Sequence, residues 1–433
     1  MKHTLSICTL LLAVGLSVPP VAAAADPPAV LTFKQAIDLA LLHSQDVALA
    51  EAQQRVSAAE VRSQRSVFGP NVYTGTGAVY TYGFPQTPGG GAPSVLNLSY
   101  VQTLFNRSSR GQLNAAEARL HGRGAGVDQT RDAVIAQTAG DYFELASVRQ
   151  AVASRRTAQA SANRIVAITR DLVAAGRDLP AAAIRAEIEA AQIAQSLVQL
   201  GGREGIVEEQ LRTLIGLPPG RPIQLEQAVL PARPPETLSA LVAKALHNNP
   251  GLREAEDERQ ARQAALKGAQ GAYWPSVDLV GQYGLFSRYN NFDQYFQKFQ
   301  RNNVNVGIEV QVPIFSAQTS AAAALAASQV AEADGELQQK RAALTLDVRQ
   351  QAERARERAA ALDVARLQAK LADETLRELN ARYQAGFVSL RDVARARIRQ
   401  SDAEVALLDA RLAAEQAQLA LWTTTGQLGD LAH

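Results

Sequence analysis

Several short segments of the chain alternate between apolar and polar residues. In the clearest, 303–312, Val or Ile occupies every even position and a polar residue or Gly every odd one. A period of two is typical of a β-strand with one apolar and one polar face. The same alternation, less regular, recurs in 96–100 and 277–279. We therefore predict two β-hairpins, at about 72–105 and 277–313.

Most of the remaining chain favours helices. Two stretches, 107–175 and 317–385, are rich in Ala and poor in Gly, and in the second apolar residues recur every seven positions up to Tyr383. That spacing is typical of a coiled coil. At ~1.5 Å per residue each helix would extend roughly 100 Å, which is longer than any globular core. Shorter helical stretches, each ended by a proline, are predicted at 33–67 and 238–272.

These elements occur twice, in the same order. Residues 99–106 match 309–316 at an offset of 210, and the same offset places Gly176 on Gly386. An offset that is constant over about seventy residues indicates two copies of equal length, as rigid helices of fixed register would require. The chain is therefore predicted to be an internal duplication.

The beginning of the chain predicts export. A basic start, an apolar run and four alanines follow the order of a secretory signal peptide, which we assign to 1–25. The remainder divides into a first repeat, 26–230, and a second repeat, 231–433. Each repeat contains a helix, a β-hairpin and a long helical hairpin, and these helical hairpins occupy 107–214 and 317–425.

Composition excludes several classes of protein. The net charge is +2, without the excess of basic residues that a nucleic-acid binder needs. The only cysteine, Cys8, lies in the signal peptide, so a cysteine metal site or thiol nucleophile is excluded. His43 and His247, matched at an offset of 204 near helix ends, favour a capping or packing role. We expect no enzyme activity, no metal site and no cofactor.

The aromatic residues lie mainly near the predicted strands. Of 23 Phe, Trp and Tyr residues, 17 lie in 68–105 and 273–315. Clusters at strand ends are what the interfacial girdles of a membrane β-barrel require, and the core of a soluble β-sandwich is the alternative. After the signal there is no run of 18 apolar residues that could form a membrane-spanning helix, so a membrane location would require a barrel.

Four strands are too few to close a barrel. An open sheet edge is not tolerated in hydrocarbon, because each unpaired backbone group costs several kcal/mol there. Several chains must therefore pool their strands, and the polar strand faces would line a wet lumen. The pattern predicts an oligomeric membrane duct.

Three segments, 209–220, 382–393 and 421–426, give the chain a resemblance to the TolC-type outer-membrane factor family. The resemblance covers the mature chain and implies an α+β membrane protein. It implies a homotrimer in which twelve strands form one outer-membrane β-barrel, continuous with a periplasmic α-helical coiled-coil barrel. The implied location is the cell outer membrane, with a periplasmic extension.

The same resemblance implies function and partners. The expected function is the exit duct of a tripartite efflux system, which exports small molecules such as drugs, metals or solutes. The alternative is the outer-membrane duct of a type I protein secretion system. Expected partners are a periplasmic adaptor, a proton-driven or ABC pump of the inner membrane, and outer-membrane lipid. No cofactor and no nucleic acid are implied.

The resemblance also assigns functional residues to the turns of the long helical hairpins. The resemblance implies adaptor-docking turns at Gly176 and Gly386, since glycine accepts the left-handed conformation that ends a helix. Ser389 and Leu390 belong to the second of these turns. The resemblance also implies a gate at Asp392 and Tyr383.

Symmetry would gather copies of Asp392 into an acidic ring that favours cations. The alternative is a surface Asp that is stabilised by the dipole at a helix start.

The gate departs from the family pattern at two positions. Val388 stands where a basic gate residue is expected, and Ala182 stands where the first repeat would carry its aspartate. Arg177 and Asp178 are the nearby substitutes. An aromatic external loop is expected at 286–300.

Overall fold

The computed structural model describes most of the mature chain, namely residues 29–77, 94–231, 236–286 and 301–431. The signal peptide and nearly all of the expected external loop lie outside the described residues. Within the described part of the chain, no helix is both long enough and apolar enough to cross a membrane.

The first repeat contains four helices and four strands among its described residues. In chain order they are β1 (Ala29–Leu31), α1 (Phe33–His43), α2 (Gln45–Ser66), β2 (Asn71–Gly77), β3 (Ser94–Phe105), α3 (Arg107–Ala174), α4 (Pro180–Leu214) and β4 (Ile223–Leu225).

The second repeat has the same order of helices and hairpin strands. Its described elements are α5 (Leu238–Asn248), α6 (Pro250–Gly271), β5 (Ser276–Phe286), β6 (Asn302–Gln311), α7 (Ala317–Gln384) and α8 (Leu390–Thr425). The two longest helices, α3 and α7, have 68 residues each, and their first residues, Arg107 and Ala317, are related by the offset of the duplication. A short 3-10 helix, Leu428–Leu431, follows α8.

The stretches 33–67 and 238–272 each form two helices, so the prediction of single helices was wrong. The breaks lie at Ser44 and Asn249, whose backbones are extended, with ψ of 120° and 119°. Each side-chain oxygen accepts a hydrogen bond from the amide three residues later, at 3.2 and 3.0 Å. Ser and Asn are among the strongest N-cap residues, so each ends one helix and starts the next.

The break positions also correct the match between the histidines. Ser44 and Asn249 occupy the same place in the two repeats, so the structural equivalent of His43 is Asn248 and not His247. The environments agree, because both side chains lie against a glycine that ends a helical hairpin. A Cβ added to Gly216 would lie 2.5 Å from the His43 ring, and one added to Gly426 would lie 2.8 Å from the backbone oxygen of Asn248.

The four long strands form one antiparallel sheet in the order β2-β3-β5-β6. The central pairing of β3 with β5 joins the two repeats, and β2 and β6 are the edge strands. The apolar residues of β6, namely Val304, Val306, Ile308 and Val310, share one face of the strand because they alternate along it, and they are between 57% and 76% exposed. Their cross-strand partners on the same face are Tyr283, Gly281, Leu279 and Val277.

The helices continue the sheet as one layer. In the half nearer the sheet, helices are adjacent in the order α2, α3, α6 and α7; in the far half the order is α4, α3, α8 and α7. The two edges of this layer are therefore α2 and α4 on one side and α7 on the other.

A compact core supports the middle of α3. It contains Tyr142, which is fully buried and whose ring contacts the ring of Phe33 at 5.5 Å between centroids. The Tyr142 hydroxyl lies 3.0 Å from the carbonyl oxygen of Leu31 and 2.5 Å from that of Glu226. These bonds attach α3 to the small parallel sheet of β1 and β4. Burial raises the pKa of Tyr142 to about 12, so the hydroxyl stays a donor.

Candidate gate and docking site at the helical tip

The two long helical hairpins reverse direction at the end of the molecule farthest from the sheet, which we call the helical tip. Gly176 and Gly386 have φ of 68° and 81°, in the left-handed region. Each glycine amide donates to the carbonyl three residues earlier, at 3.0 Å, and the next amide donates to the carbonyl five residues earlier, at 2.8 and 2.9 Å. This is a Schellman motif, which satisfies the last carbonyls of each helix.

Most residues of both turns are exposed to solvent. A Cβ added to Gly176 or Gly386 would meet nothing within 4 Å, so the backbone conformation alone accounts for glycine there. Phe387 and Leu179, which follow the two glycines, are 81% and 72% exposed. Leu390 is half-buried at the start of α8. The tip therefore displays one large apolar side chain per turn.

The helices that leave the turns begin differently. At α8, Ser389 and Asp392 form a reciprocal capping box: Ser389 Oγ accepts from the Asp392 amide at 3.2 Å, and Asp392 Oδ2 accepts from the Ser389 amide at 3.0 Å. The Ser389 hydroxyl also donates to Asp392 Oδ2 at 2.6 Å. At α4, the N-cap Leu179 offers no side-chain bond and Pro180 occupies the first position.

The capping box fixes the charge state of Asp392. The hydroxyl and the amide of Ser389, followed by the nearby charges of Arg391 and Arg395, hold the pKa of this carboxyl below its ordinary value of 3.8. Asp392 is therefore anionic at neutral pH. It remains partly exposed, so a second charged partner could reach it.

An ion pair joins the two turns within one chain. Arg391 Nη1 lies 3.1 Å from Asp178 Oδ2, and both side chains are about one-third exposed or less. Asp178 Oδ1 also accepts from the Leu179 amide at 2.9 Å. The sequence pattern indicated Asp178 but not Arg391, although this arginine directly precedes Asp392. Arg177 is exposed and forms no ion pair with the described residues.

The other predicted gate positions lie close by. Tyr383 is 42% exposed on the last turn of α7. Val388, at the position where the resemblance led us to expect a basic residue, packs against the buried cluster of Leu376, Val393 and Ala396. An apolar residue at 388 therefore stabilises the turn. Ala182 lies half-buried in the first turn of α4.

Among the residues that the structure describes, no group of three or more His, Cys, Asp or Glu side chains could hold a metal ion.

The duplicated unit, the exposed apolar sheet face and the long two-hairpin extension together define a membrane-channel subunit. Residues 36–217 and 241–427 match the family model for outer membrane efflux proteins, and the chain belongs to this family. Its place is the outer membrane, with a periplasmic extension, and it is a channel protein and not an enzyme. The expected family and the expected fold class are confirmed.

Individual relatives agree with this assignment. The outer membrane protein VceC from Vibrio cholerae matches with a TM-score of 0.76 and 18% identity, over 91% of this chain and 96% of that one. The MtrE outer membrane channel of Neisseria gonorrhoeae, in its open state, matches with a TM-score of 0.72 and 20% identity, over 92% and 89%. Protein CyaE of Bordetella pertussis is 27% identical over 313 residues, which span 70% of this chain but only 65% of that protein.

Proposed function

We propose that three copies of the chain form the exit duct of a tripartite efflux system. The duct would receive small molecules from an inner-membrane pump through a periplasmic adaptor. The observation that carries the proposal is that the described part of one chain is an open layer, in which the edge strands lack a second strand partner and both edge helices expose large apolar side chains.

The sheet provides the first pair of edges. Among the described strands, β2 pairs only with β3 and β6 pairs only with β5, so each keeps one row of backbone groups without a strand partner. Such rows are not tolerated in hydrocarbon. If β6 of one copy pairs with β2 of the next, every row is satisfied and three copies give twelve strands.

The helices provide the second pair of edges. Leu367 of α7 is 69% exposed and Val198 of α4 is 76% exposed, although both are large and apolar. α7 ends at Gln384 and α4 starts at Pro180, so each of the two side chains lies about five helical turns, or roughly 26 Å, from the tip. Ring closure would therefore bring α7 of one copy against α4 of the next at this level.

The face of the helical layer suits a wet lumen. A groove of about 830 Å³ crosses α2, α3, α6 and α7, and its lining is mostly charged or polar. Glu60, Arg119, Glu254 and Lys340, one from each helix, line it. We assign this polar face to the lumen, where it would let hydrated solutes pass without strong adsorption.

The helical tip is proposed as the gate and the docking rim. The Asp178–Arg391 ion pair would hold the two turns of one subunit together. Asp392, Tyr383 and Arg177 would face the other subunits at the narrow end. Gly176, Gly386, Ser389 and Leu390 would form the rim that meets the adaptor, with Phe387 and Leu179 as exposed apolar contacts.

Cysteine cross-linking tests the ring closure, since Cys8 is the only native cysteine and lies in the signal peptide. The double variant Leu367→Cys with Val198→Cys should give disulfide-linked dimers and trimers under oxidation. The matched control, Leu367→Cys with Ile184→Cys, places the second thiol about 20 Å nearer the tip and should give none. Absence of cross-links in the first pair, together with no ion conductance in planar bilayers, would refute the duct.

The substrate class needs a separate experiment. Deletion of the gene should raise intracellular accumulation of fluorescent efflux substrates. A type I protein secretion duct is the second candidate, and the similarity to Protein CyaE gives it weak support. In that case the deletion would instead remove a protein from the culture medium and leave accumulation of the dyes unchanged.

A further inference from the structure

Large apolar side chains are exposed at one level of the molecule, between the sheet and the long helices. The register pairs Phe105 with Val277 and Ser276 with Gln311, so the lower ends of β3, β5 and β6 lie side by side. At and just below these ends lies a set of side chains that are between 43% and 98% exposed, which we call the aromatic belt: Leu104, Phe105, Tyr273, Trp274, Ile314 and Phe315.

The belt lies at the edge of the apolar sheet face. At ~3.3 Å per residue and a tilt of about 45°, the ten residues of β6 span about 23 Å, close to the height of the apolar band of an outer-membrane protein. Aromatic side chains are enriched where such a band meets lipid headgroups. The belt therefore marks the headgroup level on the periplasmic side of the proposed duct.

Cations lie directly below the belt. Arg107 and Arg110 are in the first turn of α3, and Lys267 is in the last turn and a half of α6; we call these three the basic collar. All three are exposed, and none forms an ion pair with the residues that the structure describes. The guanidinium carbon of Arg107 lies 3.7 Å from the centroid of the Trp274 ring, which orients this cation into the belt.

The acidic residues nearest to the collar do not neutralise it. Along the helices, the first carboxylates below the collar are Glu117 on α3 and Glu258 on α6, and Glu117 already pairs with Arg65 at 2.9 Å. Asp278 and Glu309 are cross-strand partners near the sheet base. They alternate with Val277 and Val310, so they lie on the polar face of the sheet, away from the apolar face.

We infer that the aromatic belt and the basic collar form a binding site for anionic phospholipid of the periplasmic leaflet. The acyl chains would lie on the apolar face of the sheet, Trp274 would lie at the glycerol level, and the collar would pair with headgroup phosphates. An anionic headgroup is favoured over a zwitterionic one because the collar offers three cations per chain without fixed counter-charges. The inference rests on the proposed membrane duct and adds the lipid class and the residues that select it.

The chain offers a direct optical test. It contains two tryptophans, of which Trp422 is 2% exposed and Trp274 is 53% exposed. In the variant Trp422→Phe, Trp274 is the only remaining tryptophan and therefore the only source of tryptophan fluorescence. The protein would be reconstituted into vesicles that contain bromine-labelled phosphatidylglycerol or bromine-labelled phosphatidylcholine at equal mole fraction, and quenching of Trp274 would be compared.

Quenching should be stronger with the brominated phosphatidylglycerol. At low salt each cation should enrich this lipid near Trp274 by about fivefold, and the enrichment should fall at high salt. The triple variant Arg107→Gln, Arg110→Gln and Lys267→Gln, which removes all three cations of the collar, should reduce the ratio of the two quenching constants to about one. Arg358→Gln, an exposed arginine in the middle of α7, should leave the ratio unchanged.

Two outcomes would overturn the inference: equal quenching by both lipids in the protein with an intact collar, or no quenching by either lipid. Ion conductance of the same preparation separates this failure from failure of the duct. If the protein conducts ions but shows no preference between the two lipids, the lipid site is refuted and the proposed function is not. A Trp274→Phe variant confirms the origin of the signal, since it should lose the quenchable emission.

Discussion

The guanidinium of Arg391 donates a hydrogen bond to Asp178 at 3.1 Å, across 213 residues of sequence. This pair is the only charged contact between the two tip turns among the described residues. It joins the start of α8 to the turn between α3 and α4, so it resists separation of the two hairpins within a subunit. Opening of the proposed gate would have to break it or to move both hairpins together.

Asp178→Asn should therefore raise the open fraction of the channel. Ion pairs that are partly exposed contribute about 0–1 kcal/mol, so overall stability should change little while the gate equilibrium shifts by up to about fivefold. Single-channel recording in planar bilayers measures the open fraction. The exchange Asp178→Arg with Arg391→Asp should restore the original value, and Arg397→Gln, on an exposed site of α8, serves as control. An unchanged open fraction in Asp178→Asn would show that the Asp178–Arg391 ion pair does not hold the gate closed.

Ser389→Ala should loosen the first turn of α8. It removes the two hydrogen bonds of the Ser389 hydroxyl and leaves the bond from the Ser389 amide to Asp392, and loss of such a cap costs about 1 kcal/mol. Hydrogen exchange of residues 390–394 at neutral pH should become about fivefold faster. The turn of the first repeat provides the control, because Leu179 makes no cap bond and Leu179→Ala should leave exchange in 181–184 unchanged.

The same cap should weaken in acid. The pKa of Asp392 is lower in the folded protein than its ordinary value of 3.8, so its stabilising contribution is present above pH 4 and is lost as the pH falls through the folded pKa. The protection of amides 390–394 from exchange, relative to the unstructured chain at the same pH, should therefore decrease below about pH 4 in the native protein and much less in Asp392→Asn. An equal loss of protection in both proteins would exclude the cap as its cause.

Gly111→Ala should disturb the packing of α3 on α6. A Cβ at this position would lie 2.2 Å from the Cα of Gly268, which no side-chain rotation can relieve. Overpacking of this kind costs about 1–3 kcal/mol or displaces a helix, and here it would act just below the sheet. Gly335→Ala on α7 meets nothing within 4 Å and should stabilise by about 0.5–1 kcal/mol. Opposite shifts of the melting temperature of the two variants would check both expectations.

Asp141→Asn should stabilise the protein at neutral pH. Burial, and then the neighbouring charge of Glu144, raise the pKa of Asp141 to about 6 from 3.8, and its Oδ2 is buried without a hydrogen-bond partner. A carboxyl with a raised folded pKa stabilises below its unfolded pKa, and that contribution is lost as the pH rises from about 4 through about 6. At pH 7.5 the variant should gain on the order of 1 kcal/mol after allowance for solvent screening.

Melting temperatures of Asp141→Asn at pH 5 and pH 7.5 measure this effect. The decrease between the two values should be smaller in Asp141→Asn than in the native protein. Asp171→Asn, at an exposed site of the same helix, should keep the native difference. A variant that melts below the native protein at pH 7.5 would contradict the expectation.

Much of the local structure followed from patterns that neighbouring residues create. Alternation of Val and Ile in 303–312 predicted β6, which is found at Asn302–Gln311. The constant offset between the repeats predicted two long helices of equal length, and both have 68 residues. These elements are long and periodic, so single residues hardly change the pattern. The helix breaks at Ser44 and Asn249 were missed because one cap residue changes the chain direction without changing the apolar period.

By itself, the sequence determined the duplicated order of helices and strands, the positions of the turn glycines and the family. These depend on local backbone preferences and on side-chain periods, which contiguous residues specify. Only the tertiary structure decided that Arg391 pairs with Asp178, that β3 pairs with β5 across the repeats, and that Arg107 lies over Trp274. These contacts join residues far apart in the chain, and their partners are selected by the packing of rigid helices and by strand register, which no local pattern records.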